Sequence, residues 1–213
     1  PGVYDMKGGV AIGLIVLRAL RELNPPAGHP VRFLFTSDEE VGSMTSRALI
    51  ESQARQAALV LCMEPALPDG SLKTARKGVG EFTVTAYGRS AHAGADHSKG
   101  INAIEELAHQ VIAIQRLTDC ARGISVNVGT IRGGTASNVV PERATLEVDM
   151  RVEHSADAAW LAQQLTALEP VLAGARLEIS GGLNRPPMER TPLMAQTFAK
   201  ARAIAAEIGL EIG

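Results

Sequence analysis

The sequence contains few aromatic residues and few cysteines. Aromatic residues make up 3% of the 213 residues while hydrophobic residues make up 46%, so aliphatic side chains must fill most of any core. The only cysteines, Cys62 and Cys120, form no CxxC pair, which excludes the usual cysteine-rich zinc and redox motifs. We expect both to be reduced thiols in the core, with a disulfide between them as the less favoured alternative.

Runs of basic residues and long apolar runs are also missing. The formal net charge is -2, and without a basic patch the sequence argues against a nucleic-acid partner. No apolar run reaches the roughly 18 residues of a transmembrane helix, so no membrane partner is predicted. The chain begins with Pro1-Gly2 and ends at Gly213 just after a helical pattern, and we expect it to be a piece of a longer protein.

Helical and strand patterns alternate in the first part of the chain. The pattern over 7–23 predicts a helix that is apolar nearly all round and therefore largely buried. Two short apolar runs, 31–35 and 57–63, predict buried strands, with a short helix over 43–52 between them. This alternation predicts an α/β domain with a mostly parallel sheet, of which the chain holds only a part.

The middle of the chain has a different order of elements. Strand and helix patterns follow one another as β-α-β-β-α-β, over 81–87, 101–117, 124–131, 144–152, 155–168 and 175–180. This is the order of a ferredoxin-like module. We therefore predict a partial α/β domain over 1–76 and 187–213, into which a ferredoxin-like domain is inserted over 77–186.

Acidic residues stand at the ends of the predicted elements of the α/β domain. Asp5 precedes the first helix, Glu39 and Glu40 follow the first strand, and Glu64 follows the second. Because ligands collect at the carboxyl ends of strands in open α/β sheets, these side chains are candidates for one site. A pair of divalent cations would offset their mutual repulsion. The alternative is a helix cap, a solvated turn and a lone acid, respectively.

At these positions the chain resembles the M20 metallopeptidases, which include glutamate carboxypeptidases and aminoacylases. The shared motifs, in the family's order, are YDMKGG from Tyr4, SDEEVGS from Ser37, MEP from Met63, GRSAHAG from Gly88, GGTASNVVP from Gly133 and DMR from Asp149. The resemblance implies two zinc ions per intact active site, with another divalent metal as the alternative. It implies that Asp5 bridges the ions, that Glu40 and Glu64 each bind one, that Glu39 is the general base, and that the Asp5–Met6 peptide is cis.

The same resemblance assigns roles to residues of the inserted domain, which would act as a lid and dimerisation domain. His92 resembles the lid histidine that stabilises the oxyanion in the active site of the partner subunit of a homodimer. Asn138 and Arg151 resemble substrate-binding residues, and an arginine fork matches a substrate carboxylate. Without the resemblance, these three residues read as a surface histidine, a turn former and a solvated strand position.

The chain departs from the family pattern in its metal ligands. The family also uses one histidine upstream and one downstream, and neither has a counterpart here. We therefore expect a zinc-dependent hydrolase in the longer parent protein, cleaving an amide or peptide bond of an N-acyl amino acid or short peptide. We expect this chain alone to be inactive. The alternative is a non-enzymatic dimerising or ligand-binding module with a decayed metal site.

Overall fold

The structure, a computed structural model, describes residues 2–24, 28 and 30–213. The chain forms two compact units. Unit 1 comprises Pro1–Lys73 and Ala201–Gly213, and unit 2 comprises Thr74–Lys200. None of the helices in the described ranges is long and apolar enough to cross a membrane.

Unit 1 is built from helices and irregular segments. Helix α1 spans Gly8–Leu23, α2 spans Arg47–Arg55, and the last helix, α5, spans Pro192–Glu207 and belongs to this unit from Ala201 onward. The predicted strands over 31–35 and 57–63 are wrong, because the described residues of unit 1 form no β ladder. An extended apolar segment becomes a strand only when a neighbour pairs with its backbone groups, and no described segment of this unit does so.

The burial predicted for α1 is also wrong. Of its residues only Gly9 and Gly13 are buried, whereas Leu14 is 58% and Ile15 67% exposed. A helix that is apolar on all sides needs cover on all sides. In the described part of unit 1 close packing occurs on the glycine side, where a Cβ on Gly13 would lie 2.5 Å from Cε1 of Phe33.

The two cysteines are free, but they do not lie in a core. Both are exposed. Cys62 belongs to the segment over 57–63, which no ladder covers, and Cys120 begins a short 3₁₀ turn, Cys120–Arg122. The prediction that both cysteines lie in the core is therefore wrong.

Unit 2 contains two antiparallel sheets, two complete α-helices and the first part of α5. Its elements are β1 Gly78–Tyr87, β2 Ala91–His92, α3 Ala103–Gln115, β3 Ser125–Gly133, β4 Val139–Val140, β5 Arg143–Val152, α4 Ser155–Thr166 and β6 Arg176–Arg185. The larger sheet has the order β3-β5-β1-β6, and β2 pairs with β4 in a separate ribbon. The chain is thus a mixed α/β protein whose antiparallel sheets lie in unit 2. The mostly parallel sheet predicted for the α/β domain does not form among the described residues of unit 1.

Strand alternation places the core of unit 2 on one face of the larger sheet. Phe82 and Val84 of β1 are buried, as are Leu146 and Met150 of β5. Helices α3 and α4 cover this face with further buried aliphatic residues, Leu107, Ile114, Leu161 and Leu165. Each such side chain contributes about 1.5–3 kcal/mol by its removal from water, so this unit has the aliphatic core that the composition predicts.

A buried carboxylate anchors α3 to the loop before β6. Glu106 is fully buried, and its oxygens accept hydrogen bonds from the backbone of Val171 at 3.0 Å and Leu172 at 2.8 Å, and from the side chain of Gln110 at 2.7 Å. Burial by itself would raise the pKa of Glu106, but these hydrogen bonds favour the ionised form, and the pKa lies below its ordinary value. The carboxylate therefore stabilises the fold when it is charged.

We expect Glu106→Ala to lower the free energy of unfolding by about 1–3 kcal/mol, because buried N–H groups lose their acceptor. Urea unfolding at neutral pH measures this loss. The matched change at its exposed neighbour, Glu105→Ala, should stay within about 0.5 kcal/mol. Because the pKa of Glu106 is lower in the folded state, its contribution is complete above the unfolded pKa and is lost as the pH falls through the folded pKa. A difference from wild type that grows on acidification would contradict this account.

Candidate functional site

The segment that carries Asp5 lies beside the segment that carries Glu64. The hydroxyl of Tyr4 donates a hydrogen bond to the carbonyl oxygen of Ala66 at 3.2 Å. The Asp5–Met6 peptide bond is cis, as the family resemblance implies. The hydrogen bond of Tyr4 joins the start of the chain to the segment that follows residue 63.

A glycine in the first turn of α1 permits the same approach. A Cβ built on Gly9 would overlap the carbonyl oxygen of Met63. Only glycine lets the helix pack this closely against the backbone of the neighbouring segment. The close packing against Met63 therefore explains why the second residue of the GlyGly pair after Lys7 is glycine.

All four acidic positions predicted from the sequence lie within electrostatic reach of one another. Burial raises the pKa of Glu64, and a hydrogen bond with Asp5 together with the negative charges of Asp5, Glu39 and Glu40 raises it further. The carboxyl groups of Asp5 and Glu64 are therefore neighbours at a place where negative charge accumulates. This convergence is what a common site requires.

Asp38 holds the loop from which Glu39 and Glu40 project. Its Oδ2 accepts hydrogen bonds from the backbone N–H of Thr45 at 2.9 Å, from the Thr45 hydroxyl at 2.7 Å and from the backbone N–H of Ser46 at 3.0 Å. Contacts with Ser46 and Thr45 lower the pKa of Asp38, so the carboxylate is ionised. Its neighbours Glu39 and Glu40 lie in a single 3₁₀ turn, Glu39–Val41.

No role for Asp38 was predicted, although the sequence carries a signal for one. A hydroxyl residue, Thr45, follows the aspartate at a distance that a compact loop can close, and short polar side chains favour such loops. The motif around residues 37–43 thus contains one acid that shapes the loop and two that face outward from it.

The acidic cluster suits a divalent metal in charge and in donor type. An ion of charge +2 would replace the repulsion among these carboxylates by attraction, and carboxylate oxygen is a ligand for zinc and for harder cations. Across residues 2–24, 28 and 30–213, however, no three histidine, cysteine, aspartate or glutamate side chains come close enough together to hold one ion. The residues therefore fit a metal in kind, but they do not supply the four ligands of a complete zinc site.

His92 and Asn138 are neighbours in unit 2. In the β2–β4 ribbon, His92 lies opposite Val139, and the N–H of Ala93 donates to the carbonyl oxygen of Asn138 at 2.9 Å. The ribbon thus joins the two motifs GRSAHAG and GGTASNVVP, which are more than 40 residues apart in the sequence. Both predicted lid residues are brought to one place.

Arg151 lies away from that ribbon. It is near the end of β5, roughly 26 Å along the strand from Arg143 at the rise of an extended chain. Its guanidinium forms a bidentate ion pair with Asp149, with two distances of 2.9 Å, and this hydrogen bonding raises the pKa of Arg151. The structure therefore does not bring Arg151 to His92 and Asn138 within unit 2.

Comparisons with known proteins show the family to which the chain belongs. Residues 74–169 match the family model of the M20 peptidase dimerisation domain, and residues 1–115, more than half of the chain, match that of peptidase family M28. The chain belongs to the M20 and M28 group of metallopeptidases. The resemblance to M20 metallopeptidases seen in the motifs is thereby confirmed, and the M28 match covers the acidic positions of unit 1.

Curated relatives of this M20 peptidase chain are carboxypeptidases. It is 35% identical over 158 residues to carboxypeptidase G2 of Pseudomonas sp. (strain RS-16), a match that covers 74% of this chain and 38% of that protein. It is 29% identical over 167 residues to a probable carboxypeptidase of Aspergillus niger, covering 71% of this chain and 39% of that protein. The chain thus spans less than half the length of these relatives.

Solved structures of peptidases share the fold of this M20 peptidase chain. Aminopeptidase PepT from Bacillus cereus matches with a TM-score of 0.78 at 22% identity, covering 97% of this chain and 55% of that one. A tripeptidase from Staphylococcus aureus matches with a TM-score of 0.77 at 22% identity, covering 100% and 57%. At this level of identity the likeness shows the fold.

Proposed function

We propose that this M20 peptidase chain is part of a longer metal-dependent hydrolase that cleaves a peptide or amide bond of a short peptide or N-acyl amino acid. The observation that carries the proposal is the convergence of Glu39, Glu40 and Glu64 with Asp5, through which the pKa of Glu64 is raised. The names of two relatives, carboxypeptidase G2 and a probable carboxypeptidase, support the choice of substrates with a free carboxylate at one end.

The proposed cofactor is a pair of zinc ions, with another divalent metal as the alternative. Asp5 would bridge the two ions, and Glu40 and Glu64 would each bind one. When bound, the metal supplies a Lewis acid for the scissile carbonyl and lowers the pKa of water. The proximity of the Asp5 and Glu64 carboxyl groups supports this assignment.

The other residues of the chain have distinct proposed roles. Glu39 takes a proton from the attacking water and passes it to the leaving amine, which is general acid–base catalysis by one carboxylate. His92 donates a hydrogen bond to the oxyanion in the partner subunit's site, and Asn138 binds the substrate beside it. Arg151 binds a substrate carboxylate, and its bidentate pairing with the carboxylate of Asp149 supports this kind of interaction.

We propose that the domain over 77–186 is a ferredoxin-like lid through which the protein forms a homodimer, and that 1–76 and 187–213 belong to the catalytic domain. The chain order β-α-β-β-α-β and the sheet order β3-β5-β1-β6 support the ferredoxin-like assignment. The match to a dimerisation domain supports the homodimer.

The full-length protein tests the proposed function directly. It would be stripped with a chelator, reloaded with zinc or another divalent metal, and assayed on short peptides and N-acyl amino acids with free or amidated carboxyl ends. We expect hydrolysis only after reloading, and faster hydrolysis of substrates with a free carboxylate. Metal-loaded protein that hydrolyses no member of the panel would overturn the proposal and favour a non-enzymatic module.

The loop contacts of Asp38 lead to a further expected result. In the full-length protein, Asp38→Ala should lower kcat/KM about 10–100-fold, because side chains that support metal-site residues have effects of this size. Asp38→Asn, which keeps one acceptor oxygen, should recover part of the loss. Asp69→Ala is the matched control, since Asp69 accepts a similar hydrogen bond from the N–H of Ser71 at 2.9 Å outside the site. Equal effects of the changes at Asp38 and Asp69 would show that the loop contact has no part in catalysis.

A further inference from the structure

The imidazole of His92 is held by two backbone N–H groups of the turn that follows it. Its Nδ1 accepts hydrogen bonds from the N–H of Gly94 and from the N–H of Ala95, each at 3.1 Å. A backbone N–H can only donate, so Nδ1 must present its lone pair to both. Rotating the ring by half a turn would place a C–H group against both donors, so the contacts also fix the ring orientation.

The turn that supplies these donors is itself fixed by backbone hydrogen bonds. The carbonyl oxygen of His92 accepts from the N–H of Asp96 at 3.0 Å, and the N–H of Ala93 donates to the carbonyl oxygen of Asn138, the residue just before β4. The ring is exposed, and its Nε2 has no hydrogen-bond partner among the residues that the structure describes. Nε2, which does not contact Gly94 or Ala95, is therefore the ring nitrogen that can bind another group.

We infer that the backbone N–H groups of Gly94 and Ala95 lock His92 in the neutral tautomer that carries its proton on Nε2. A proton on Nδ1 would oppose two N–H donors at 3.1 Å, so that tautomer requires the ring to leave the turn. Gly94 and Ala95 are positioning residues, which act through the imidazole and not on the substrate. His92 thus presents a hydrogen-bond donor at Nε2, whatever the substrate.

This inference has a consequence for catalysis that rests on the proposed function. A histidine locked in this way is suited to donate a hydrogen bond to an oxyanion and keep its proton. It is not suited to act as a base at Nε2, because that nitrogen already holds the proton. The proton of the attacking water must then travel through Glu39, and His92 has a purely electrostatic part.

Nitrogen NMR of the chain with ¹⁵N-labelled histidine tests the tautomer without any assay of turnover. The spectrum is recorded at about pH 8, above the ordinary histidine pKa, and the His92 signals are assigned by their loss in His92→Gln. We expect the ¹⁵N chemical shift of Nδ1 of His92 to be that of a fully unprotonated nitrogen, and the shift of Nε2 to be that of a fully protonated one. His97 is the internal reference, because it is exposed and its ring has no hydrogen bond within the described residues. Signals of His92 averaged to the same extent as those of His97 would overturn the inference.

Two variants separate the N–H groups from other properties of the turn. Gly94→Ala keeps both N–H groups and has space, since its Cβ would lie 3.5 Å from Cε1 of His92, so its His92 signals should match wild type. Ala95→Pro removes one N–H donor and should move the ¹⁵N chemical shifts of His92 toward those of His97. The signals of the other histidines report whether the fold of this variant is intact. If Ala95→Pro does not fold, the wild-type spectrum alone decides. A locked tautomer in a protein without hydrolytic activity would leave this inference standing and remove only the proposed function.

Discussion

Replacing Glu39 by glutamine in the full-length protein is expected to lower kcat by about 10²–10⁴-fold, the usual contribution of a positioned acid–base group. Glutamine has nearly the same size, so the loop that Asp38 holds should keep its shape, but an amide cannot take the proton of the attacking water. The measurement is kcat at saturating substrate, together with the metal content of the purified protein.

Metal content distinguishes a general base from a metal ligand. Glu39→Gln should keep its metal and lose turnover, whereas Glu40→Gln in the same 3₁₀ turn should lose metal, because we propose Glu40 as a ligand. Glu22→Gln is the control for a carboxylate of unit 1 outside the site, since Glu22 is exposed and paired with Arg18 at 2.7 Å. A rate of Glu39→Gln within about threefold of wild type would refute the assignment of the base.

The acidic cluster was predictable because it depends on chain order more than on detailed packing. Asp5, Glu39, Glu40 and Glu64 each stand at the end or start of an element that the sequence predicts. The structure brings them within electrostatic reach even though unit 1 has no β ladder in its described residues. The contacts of Tyr4 with Ala66 and of Gly9 with Met63 hold the start of the chain beside the segment that carries Glu64.

The lack of strands among the described residues of unit 1 was not predictable in the same way. The apolar runs over 31–35 and 57–63 indicate burial, but a strand also needs a partner whose backbone groups lie at hydrogen-bond distance, and a periodicity within one segment says nothing about its partner. In unit 2 the patterns over 81–87 and 144–152 succeeded because each strand finds its partner in the same chain, with Val84 opposite Leu146.

Hydrogen bonds between polar side chains and distant backbone groups are a second feature that the sequence patterns could not reveal. In the sequence Glu106 looks like a solvated charge among the apolar residues of α3. In the structure its carboxylate accepts hydrogen bonds from the N–H groups of Val171 and Leu172, more than 60 residues later. Such a contact depends on a loop conformation that only the folded unit creates. The hydrogen bonds to Nδ1 of His92 are local, but they likewise depend on a turn conformation and not on residue type.

Replacing His92 by alanine is the second change for which we expect a large effect, a loss of about 10²–10³-fold in kcat, as found when one donor to an oxyanion is removed. Because His92 is exposed, stability should change by less than about 0.5 kcal/mol. His92→Asn, whose amide can donate a hydrogen bond but cannot shuttle a proton, should retain more activity than His92→Ala. Equal losses in both variants would contradict a role as donor. His97→Ala, at an exposed histidine of the same loop, is the control.

Mixed dimers show in which subunit His92 acts. Inactive His92→Ala protein and inactive Glu39→Gln protein are mixed in equal amounts, dissociated and allowed to re-associate. If His92 completes the site of the partner subunit, each hybrid dimer has one site with both defects and one site with none. Since half of the randomly formed dimers are hybrids, about a quarter of the wild-type rate should return. If His92 served its own subunit, every site would keep one defect and the mixture would stay inactive, which would remove the homodimer from the mechanism while leaving Glu39 as the base.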